Sequence, residues 1–63
     1  GVYVRNGQIV VPAEVGQSIT VYNTMGQAVY SKSAENVETL IDGLSSNQVL
    51  VVRVGQKTAK IVL

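Results

Sequence analysis

The chain has 63 residues, with five basic and four acidic side chains and neither cysteine nor histidine. This length suits one small domain spanning residues 1–63, whose modest core cannot be reinforced by disulfides. The chain lacks the bases and thiols of serine and cysteine hydrolases and the usual ligands of zinc. A net charge of +1 gives no basic footprint for nucleic acid, and no apolar run approaches the ~20 residues of a membrane span. The composition therefore predicts that the protein is not an enzyme and has no cofactor or metal.

The charged residues are unevenly distributed along the chain. The carboxylates are Glu14, Glu35, Glu38 and Asp42. Acidic side chains are seldom buried, so we interpret these as solvated residues and not as the acid/base pair of a glycosidase. Residues 43–63 have no acid and carry Arg53, Lys57 and Lys60. The lysines are interpreted as protecting an exposed strand edge from aggregation, and the alternative is a basic surface that contacts a partner.

Strand-forming residues dominate the composition. Valine, isoleucine, threonine and tyrosine make up 24 of 63 residues, and no stretch has a helical period. Residues 2–5 and 8–11 are predicted strands around Asn6-Gly7, a pair typical of a type I′ turn. Residues 12–16 are a predicted loop, because Pro12 cannot donate to a strand ladder. Residues 18–22 alternate as a strand, and in the turn that follows Gly26 is expected to be left-handed.

The second half of the chain continues this pattern. Residues 27–31 and 36–41 are predicted strands separated by a loop at 33–35, with Val37, Thr39 and Ile41 on one face. Residues 49–52 are all apolar, which indicates a strand that is covered on both faces or awaits a partner on one. Gly55-Gln56 fits a type II′ turn. In the last strand, residues 57–63, one face carries Ala59, Ile61 and Leu63 and the other carries Lys60 and Val62.

These elements predict about seven short strands. Turn signals recur every 8–12 residues, which is typical of a sandwich or a barrel. The fold class is therefore predicted to be all-β, with two packed antiparallel sheets in an immunoglobulin-like sandwich. A small, partly open barrel is the alternative.

Several segments, taken in chain order, resemble the segments of one protein family. Residues 21–29, Val-Tyr-Asn-Thr-Met-Gly-Gln-Ala-Val, resemble the "Tyr-Asn/Asp, two residues, Gly-Gln, residue, Val" segment of the C-terminal sorting domain of the type IX secretion system. Asn36-Val37, residues 41–44, the strand at 49–54 and the closing Lys-Ile-Val-Leu at 60–63 follow in that family's order. The family's Gly-x-Tyr is replaced by residues 47–49, Asn-Gln-Val. Asn tolerates a left-handed backbone, so that turn is expected to persist. The family's Tyr-Pro-Asn-Pro is replaced by residues 3–6, Tyr-Val-Arg-Asn.

The resemblance implies a secretion signal with an immunoglobulin-like fold. Such domains form the C-terminal part of cargo proteins in Bacteroidetes. The cargo crosses the outer membrane because the type IX translocon recognises the domain. A cell-surface sortase-like peptidase then usually removes it. The implied partners are this translocon, the peptidase and a covalently fused N-terminal cargo. The implied location is the periplasm in transit, followed by the cell surface or the medium.

The candidate contact residues lie in one turn and in the last strand. If that strand is at a sheet edge, its unpaired backbone groups can receive another strand. The residues predicted to be recognised are Gly26, Lys60, Ile61, Val62 and Leu63. In the alternative interpretation Gly26 serves the turn, Ile61 and Leu63 fill the core, and Lys60 is solvated. The three tyrosines, Tyr3, Tyr22 and Tyr30, form either a binding stripe or, for Tyr22 and Tyr30, a cross-strand pair.

Two further hypotheses concern function and assembly. The chain is alternatively a structural or adhesive immunoglobulin-like module that binds protein or glycan and has no sorting role. A barrel that binds single-stranded nucleic acid is disfavoured, because such barrels interleave basic residues with aromatic platforms. The marginal core, the apolar strand and an exposed edge also predict self-association, such as a homodimer.

Overall fold

A computed structural model describes all 63 residues as an all-β domain with 56% strand and no helix. The seven strands are β1 (Tyr3–Arg5), β2 (Gln8–Pro12), β3 (Ser18–Tyr22), β4 (Ala28–Ser33), β5 (Glu38–Ile41), β6 (Val49–Val54) and β7 (Lys57–Val62). They form a three-stranded sheet, β1-β2-β5, and a four-stranded sheet, β4-β3-β6-β7, in which all neighbours are antiparallel. The predicted immunoglobulin-like sandwich of seven strands is confirmed.

The core lies between the two sheets and is aliphatic. Alternate residues point inward along each strand, as the period of two requires. The buried cluster consists of Ile9, Val11, Ile19, Val21, Ala34, Ile41, Leu50, Val52 and Ile61. Each fully buried valine, leucine or isoleucine stabilises the fold by about 1.5–3 kcal/mol relative to an exposed one. The predicted inward orientation of Ile19 and Val21 is confirmed.

Two tight hairpins set the strand registers. Asn6 and Gly7 have φ angles of 52° and 75°, and two positive values in succession define the predicted type I′ turn. Gly55 has a φ of 59° while Gln56 is not in the positive region, which is the φ pattern of the predicted type II′ turn. These turns join β1 to β2 and β6 to β7 with a twist that matches the strands.

The loop predicted at residues 12–16 begins one residue late, because Pro12 ends β2 opposite Glu38. The Ala13 N–H donates to the Val37 carbonyl at 3.1 Å, so Ala13 directs its backbone groups towards the β5 side. Alternation then turns the Pro12 nitrogen to the other side of β2. No residue of β1 lies opposite it there, because β1 begins at Tyr3, which is opposite Val10. Pro12 therefore costs the sheet no ladder hydrogen bond.

The predicted boundaries around β4 and β5 were also wrong. Strand β4 continues to Ser33, and Ala34, predicted to be in a loop, is 2% exposed in the core. Its N–H donates to the Gln17 carbonyl and its carbonyl accepts from the Gly16 N–H, both at 2.8 Å. These bonds extend the β3–β4 ladder. Val37 lies outside β5 and is 75% exposed, so it is not part of the core to which Ile41 belongs.

Candidate recognition surface at the final strand

The five predicted contact residues lie at one end of the four-stranded sheet. Tyr22, the last residue of β3, is opposite Val51 of β6, which is opposite Lys60 of β7. The turn that follows Tyr22 and contains Gly26 is therefore at the same end of the sheet as the carboxyl end of β7. Since β6 lies between β3 and β7, and neighbouring strands are about 4.8 Å apart, roughly 10 Å separates the two strands. The turn and the end of β7 therefore lie at the same end of the sheet, on a shared rim, but β6 separates β3 from β7.

Gly26 is part of a turn organised by Asn23. The Asn23 Oδ1 accepts hydrogen bonds from the N–H groups of Met25 and Gln27, each at 3.0 Å. The Gly26 N–H donates to the Asn23 carbonyl at 3.0 Å. Gly26 has a φ of 81°, which confirms the predicted left-handed conformation, and a methyl group there would meet no atom within 4 Å. The turn geometry explains the glycine, and its role in recognition stays a prediction.

Strand β7 is an edge strand, since its only neighbour is β6. The Leu63 N–H donates to the Gln48 carbonyl at 2.9 Å, so Leu63 directs its backbone groups towards β6. In an antiparallel pair such residues alternate with residues whose N–H and C=O groups point away. The residues that point away are Thr58, Lys60 and Val62, and we call them the free edge of β7. The free edge has no hydrogen-bond partner in the chain.

The side chains of β7 divide between the core and solvent. Ile61 is only 9% exposed and belongs to the core cluster, and Leu63 packs against that cluster. Lys60 and Val62 point to the outer face, and Val62 is 66% exposed. The interpretation that Ile61 and Leu63 fill the core is therefore confirmed. Lys60 and Val62 remain as the predicted contact residues with accessible side chains on this strand.

The carboxyl end of β7 is anchored by a bulge. Asn47 donates its N–H to the Leu63 carbonyl at 2.7 Å, while Leu63 donates its own to Gln48, so two residues oppose one. Asn47 has a φ of 61°, the left-handed conformation of the first residue of a G1 bulge, where glycine is usual. The expectation that Asn47 keeps the turn is confirmed. Residue 63 is therefore held in the sheet.

Positive charge at the β7 edge is not neutralised within the chain. The one ion pair within 4.0 Å joins Lys32 to Glu35, at 3.4 Å. Arg53 on β6 directs its Nε to the Gly55 carbonyl at 3.0 Å, and Lys57 and Lys60 have no acidic partner. This places both lysines on an exposed edge strand, as expected from their interpretation as edge-protecting residues.

The carboxylates do not assemble a site. All four are exposed, and they lie in loops or on β5 and the residue that follows it. Asp42 accepts a long hydrogen bond of 3.5 Å from Gln8 Nε2, across the three-stranded sheet. A cleft of ≈ 250 Å³ between the sheets is lined by eight residues from the amino end of the chain, β2, β6 and β7, half of them hydrophobic, and its one ionisable side chain is that of Lys57. The cleft therefore contains no acid/base pair.

The tyrosines form neither the predicted stripe nor the predicted pair. Tyr30 is opposite Val21 and packs against the core, whereas Tyr22 is opposite Ala28 and faces outward. A bulge that leaves Val29 unpaired separates these two registers. Tyr3 lies on the other sheet, with the Arg5 guanidinium 6.0 Å from its ring centroid. Tyr22 and Tyr30 are thus on opposite faces of one sheet.

Sequence reasoning missed an apolar row on the outer face of the three-stranded sheet. Tyr3, Val10 and Leu40 are opposite one another on β1, β2 and β5. Val10 is fully buried, while Tyr3 and Leu40 are 42% and 49% exposed. The available signal was the unbroken apolar run at residues 9–11, which is typical of a strand covered on both faces.

The structure contains no helix that is long and apolar enough to cross a membrane. Comparisons of the chain with protein-family models, with curated proteins and with solved structures found no match.

Proposed function

We propose that this domain is a secretion signal that the type IX translocon recognises in order to export an N-terminally fused cargo across the outer membrane. The observation that carries the proposal is the position of the segments that resemble type IX sorting domains. They include the end of β3, the turn at Gly26, the start of β4, all of β6 and the end of β7, so they touch all four strands of one sheet and the turn at its rim. The immunoglobulin-like sandwich is also the fold that the resemblance implies.

The proposed contact is the free edge of β7 together with its outward side chains. These groups are exposed without disturbing the core, so a folded domain can present them. In this proposal the domain has no chemistry of its own and needs no cofactor. A cell-surface sortase-like peptidase removes it after export, and the cargo passes through the periplasm to the cell surface or the medium.

The test is export of an unrelated periplasmic passenger fused to the amino end of this domain, in a host with a type IX system. Secretion of the fusion supports the proposal. The matched variant is Thr58→Pro, which removes a free-edge donor while leaving the β6–β7 hydrogen bonds in place. We expect Thr58→Pro to reduce export and Thr58→Val to keep it. A passenger secreted equally well without the domain overturns the proposal.

The adhesive module remains a second candidate because of the outer row Tyr3, Val10 and Leu40, which the sorting proposal does not use. The partly exposed side chains of this row, Tyr3 and Leu40, can contact protein or glycan. The parent gene distinguishes the two functions. A stop codon directly after Leu63 favours sorting, whereas further sequence or tandem copies of the domain favour the module.

A further inference from the structure

We infer that β7 binds an extended peptide segment as a fifth strand of the four-stranded sheet, and that this segment has an acidic residue opposite Lys60 flanked by apolar residues. The inference rests on the proposed function for the biological role of the contact. It goes further by naming the chemistry of the partner segment.

The backbone favours β7 over the other three edge strands. Strands β1 and β5 have three and four residues, and β4 has a bulge at Val29. Strand β7 has six residues paired with β6 in an uninterrupted register. Its free edge therefore offers evenly alternating donors and acceptors to an added strand. Every strand pair in the molecule is antiparallel, so we assign the added strand the same direction.

The inner face of the added strand needs apolar side chains. Its inward residues lie opposite Ala59 and Ile61, the inward residues of β7. Strand β1 lies against β7 at this side of the sandwich. Its residue Val4, paired with the core residue Ile9, is 37% exposed. Apolar residues on the added strand would cover this open side of the core.

The outer face of the added strand needs negative charge. Lys60 is the central residue of the free edge, and it has no ion pair. Residues 43–63 contain no acid, and Arg53 of β6 adds positive charge on the same outer face. Opposite charges directly across an antiparallel pair are favourable and like charges are unfavourable. A glutamate or aspartate opposite Lys60 is therefore the matching residue.

The same reasoning disfavours a second copy of β7 as the occupant. In a two-fold antiparallel pairing that uses the whole free edge, Thr58 of one copy is opposite Val62 of the other. Lys60 is then opposite Lys60, at the centre of the pairing. A different segment with an acidic residue at that position avoids the repulsion, so the charge pattern selects another chain over a second copy.

The binding test uses two capped peptides, Thr-Val-Glu-Val-Thr and the matched control Thr-Val-Lys-Val-Thr, titrated into the ¹⁵N-labelled 63-residue chain. In the inferred register the central residue is opposite Lys60 and the two valines are opposite Ala59 and Ile61. We expect saturable amide shifts and slower hydrogen exchange at Thr58, Lys60 and Val62 with the glutamate peptide. The lysine peptide should bind at least about fivefold more weakly.

Two variants test the charge and the backbone separately. Lys60→Glu should reverse the preference, so that the lysine peptide binds about fivefold more tightly than the glutamate peptide. Thr58→Pro should abolish binding of both peptides, whereas Thr58→Val should retain it. A ¹⁵N spectrum of each variant establishes that it is folded.

Three results overturn the inference: no saturable shift at the free edge, equal binding of the two peptides, or protection of the free-edge amides by self-association without peptide. The peptide assay contains no secretion system, so its result does not depend on the result of the export assay. Export without peptide selectivity overturns this inference alone. Peptide selectivity without export overturns the sorting proposal alone.

Discussion

Gly26 has a φ of 81° in open surroundings, so a side chain there would be strained without clashing. We predict that Gly26→Ala lowers the free energy of unfolding by about 1–2 kcal/mol, the usual cost of a left-handed residue with a Cβ. For a chain of this size, each 1 kcal/mol corresponds to a fall in Tm of about 4–8 °C, which thermal denaturation can measure. Gly26→Asn should lose less. An unchanged Tm for Gly26→Ala would show that the turn does not need the left-handed conformation.

Ile61 and Val62 are adjacent in the chain and have opposite roles, because one faces the core and the other faces solvent. We predict that Ile61→Ala destabilises the domain by about 2–5 kcal/mol through the cavity that it leaves. Val62→Ala should change stability by less than about 0.5 kcal/mol. Chemical denaturation of both variants tests this. Similar losses for the two would contradict the assigned orientation of β7.

These two residues also affect how export experiments are interpreted. Loss of export in Ile61→Ala is expected from unfolding of the domain, whether or not the translocon contacts that residue. Lys60 and Val62 are more informative positions, because their side chains can be changed without opening a cavity in the core.

At the scale of elements, β7 contributes to the fold and to the proposed contact through different groups. It completes the core through Ile61, and its backbone is free along one side. Strand β6 pairs with the other side of β7, and the bulge at Asn47 holds Leu63 in place. A partner that adds to this edge therefore meets a strand that is already ordered, so binding does not have to order it.

We predict that deleting residues 60–63 unfolds the domain. The deletion removes the buried Ile61, the packing of Leu63 and the two backbone hydrogen bonds of Leu63 to Asn47 and Gln48. Circular dichroism and the dispersion of amide proton shifts should show a disordered chain. A folded truncated chain would mean that β6 can close the sheet without the end of β7. The point variants at Thr58 and Lys60 are therefore better tests of recognition than truncation.

At the scale of the whole molecule, the predicted self-association has an opposing electrostatic term. The free edge and the apolar surfaces favour association, whereas full overlap of two β7 strands places Lys60 opposite Lys60. Edge lysines are a known means of preventing this kind of pairing. The lysine therefore limits a homodimer without changing the fold.

We predict that Lys60→Thr raises the dimer fraction at a given concentration and that added salt does the same for the unchanged chain, because salt screens the repulsion. Sedimentation equilibrium at several concentrations measures both effects. Arg53→Thr, which leaves Lys60 in place on the neighbouring strand, is the control. If Lys60→Thr and Arg53→Thr behave alike, the contact does not involve the free edge of β7.

The sequence alone determined the features that depend on neighbouring residues. The positive φ angles at Asn6, Gly7 and Gly55 follow from local backbone preferences, which is why both hairpins were predictable. The alternation of residues 57–63 likewise follows from the period of two, and it put Ile61 and Lys60 on opposite faces; only the structure decided that Ile61 is the one in the core.

The tertiary structure decided the features that depend on which strands become neighbours. Pro12 fits in β2 because no residue of β1 is paired opposite its nitrogen. The bulge at Val29 places Tyr22 and Tyr30 on opposite faces of the sheet. The order β4-β3-β6-β7 makes β7 an edge and thereby leaves Thr58, Lys60 and Val62 unpaired. Strand order is set by contacts between distant parts of the chain, so no local pattern in residues 57–63 could reveal that their backbone would remain free.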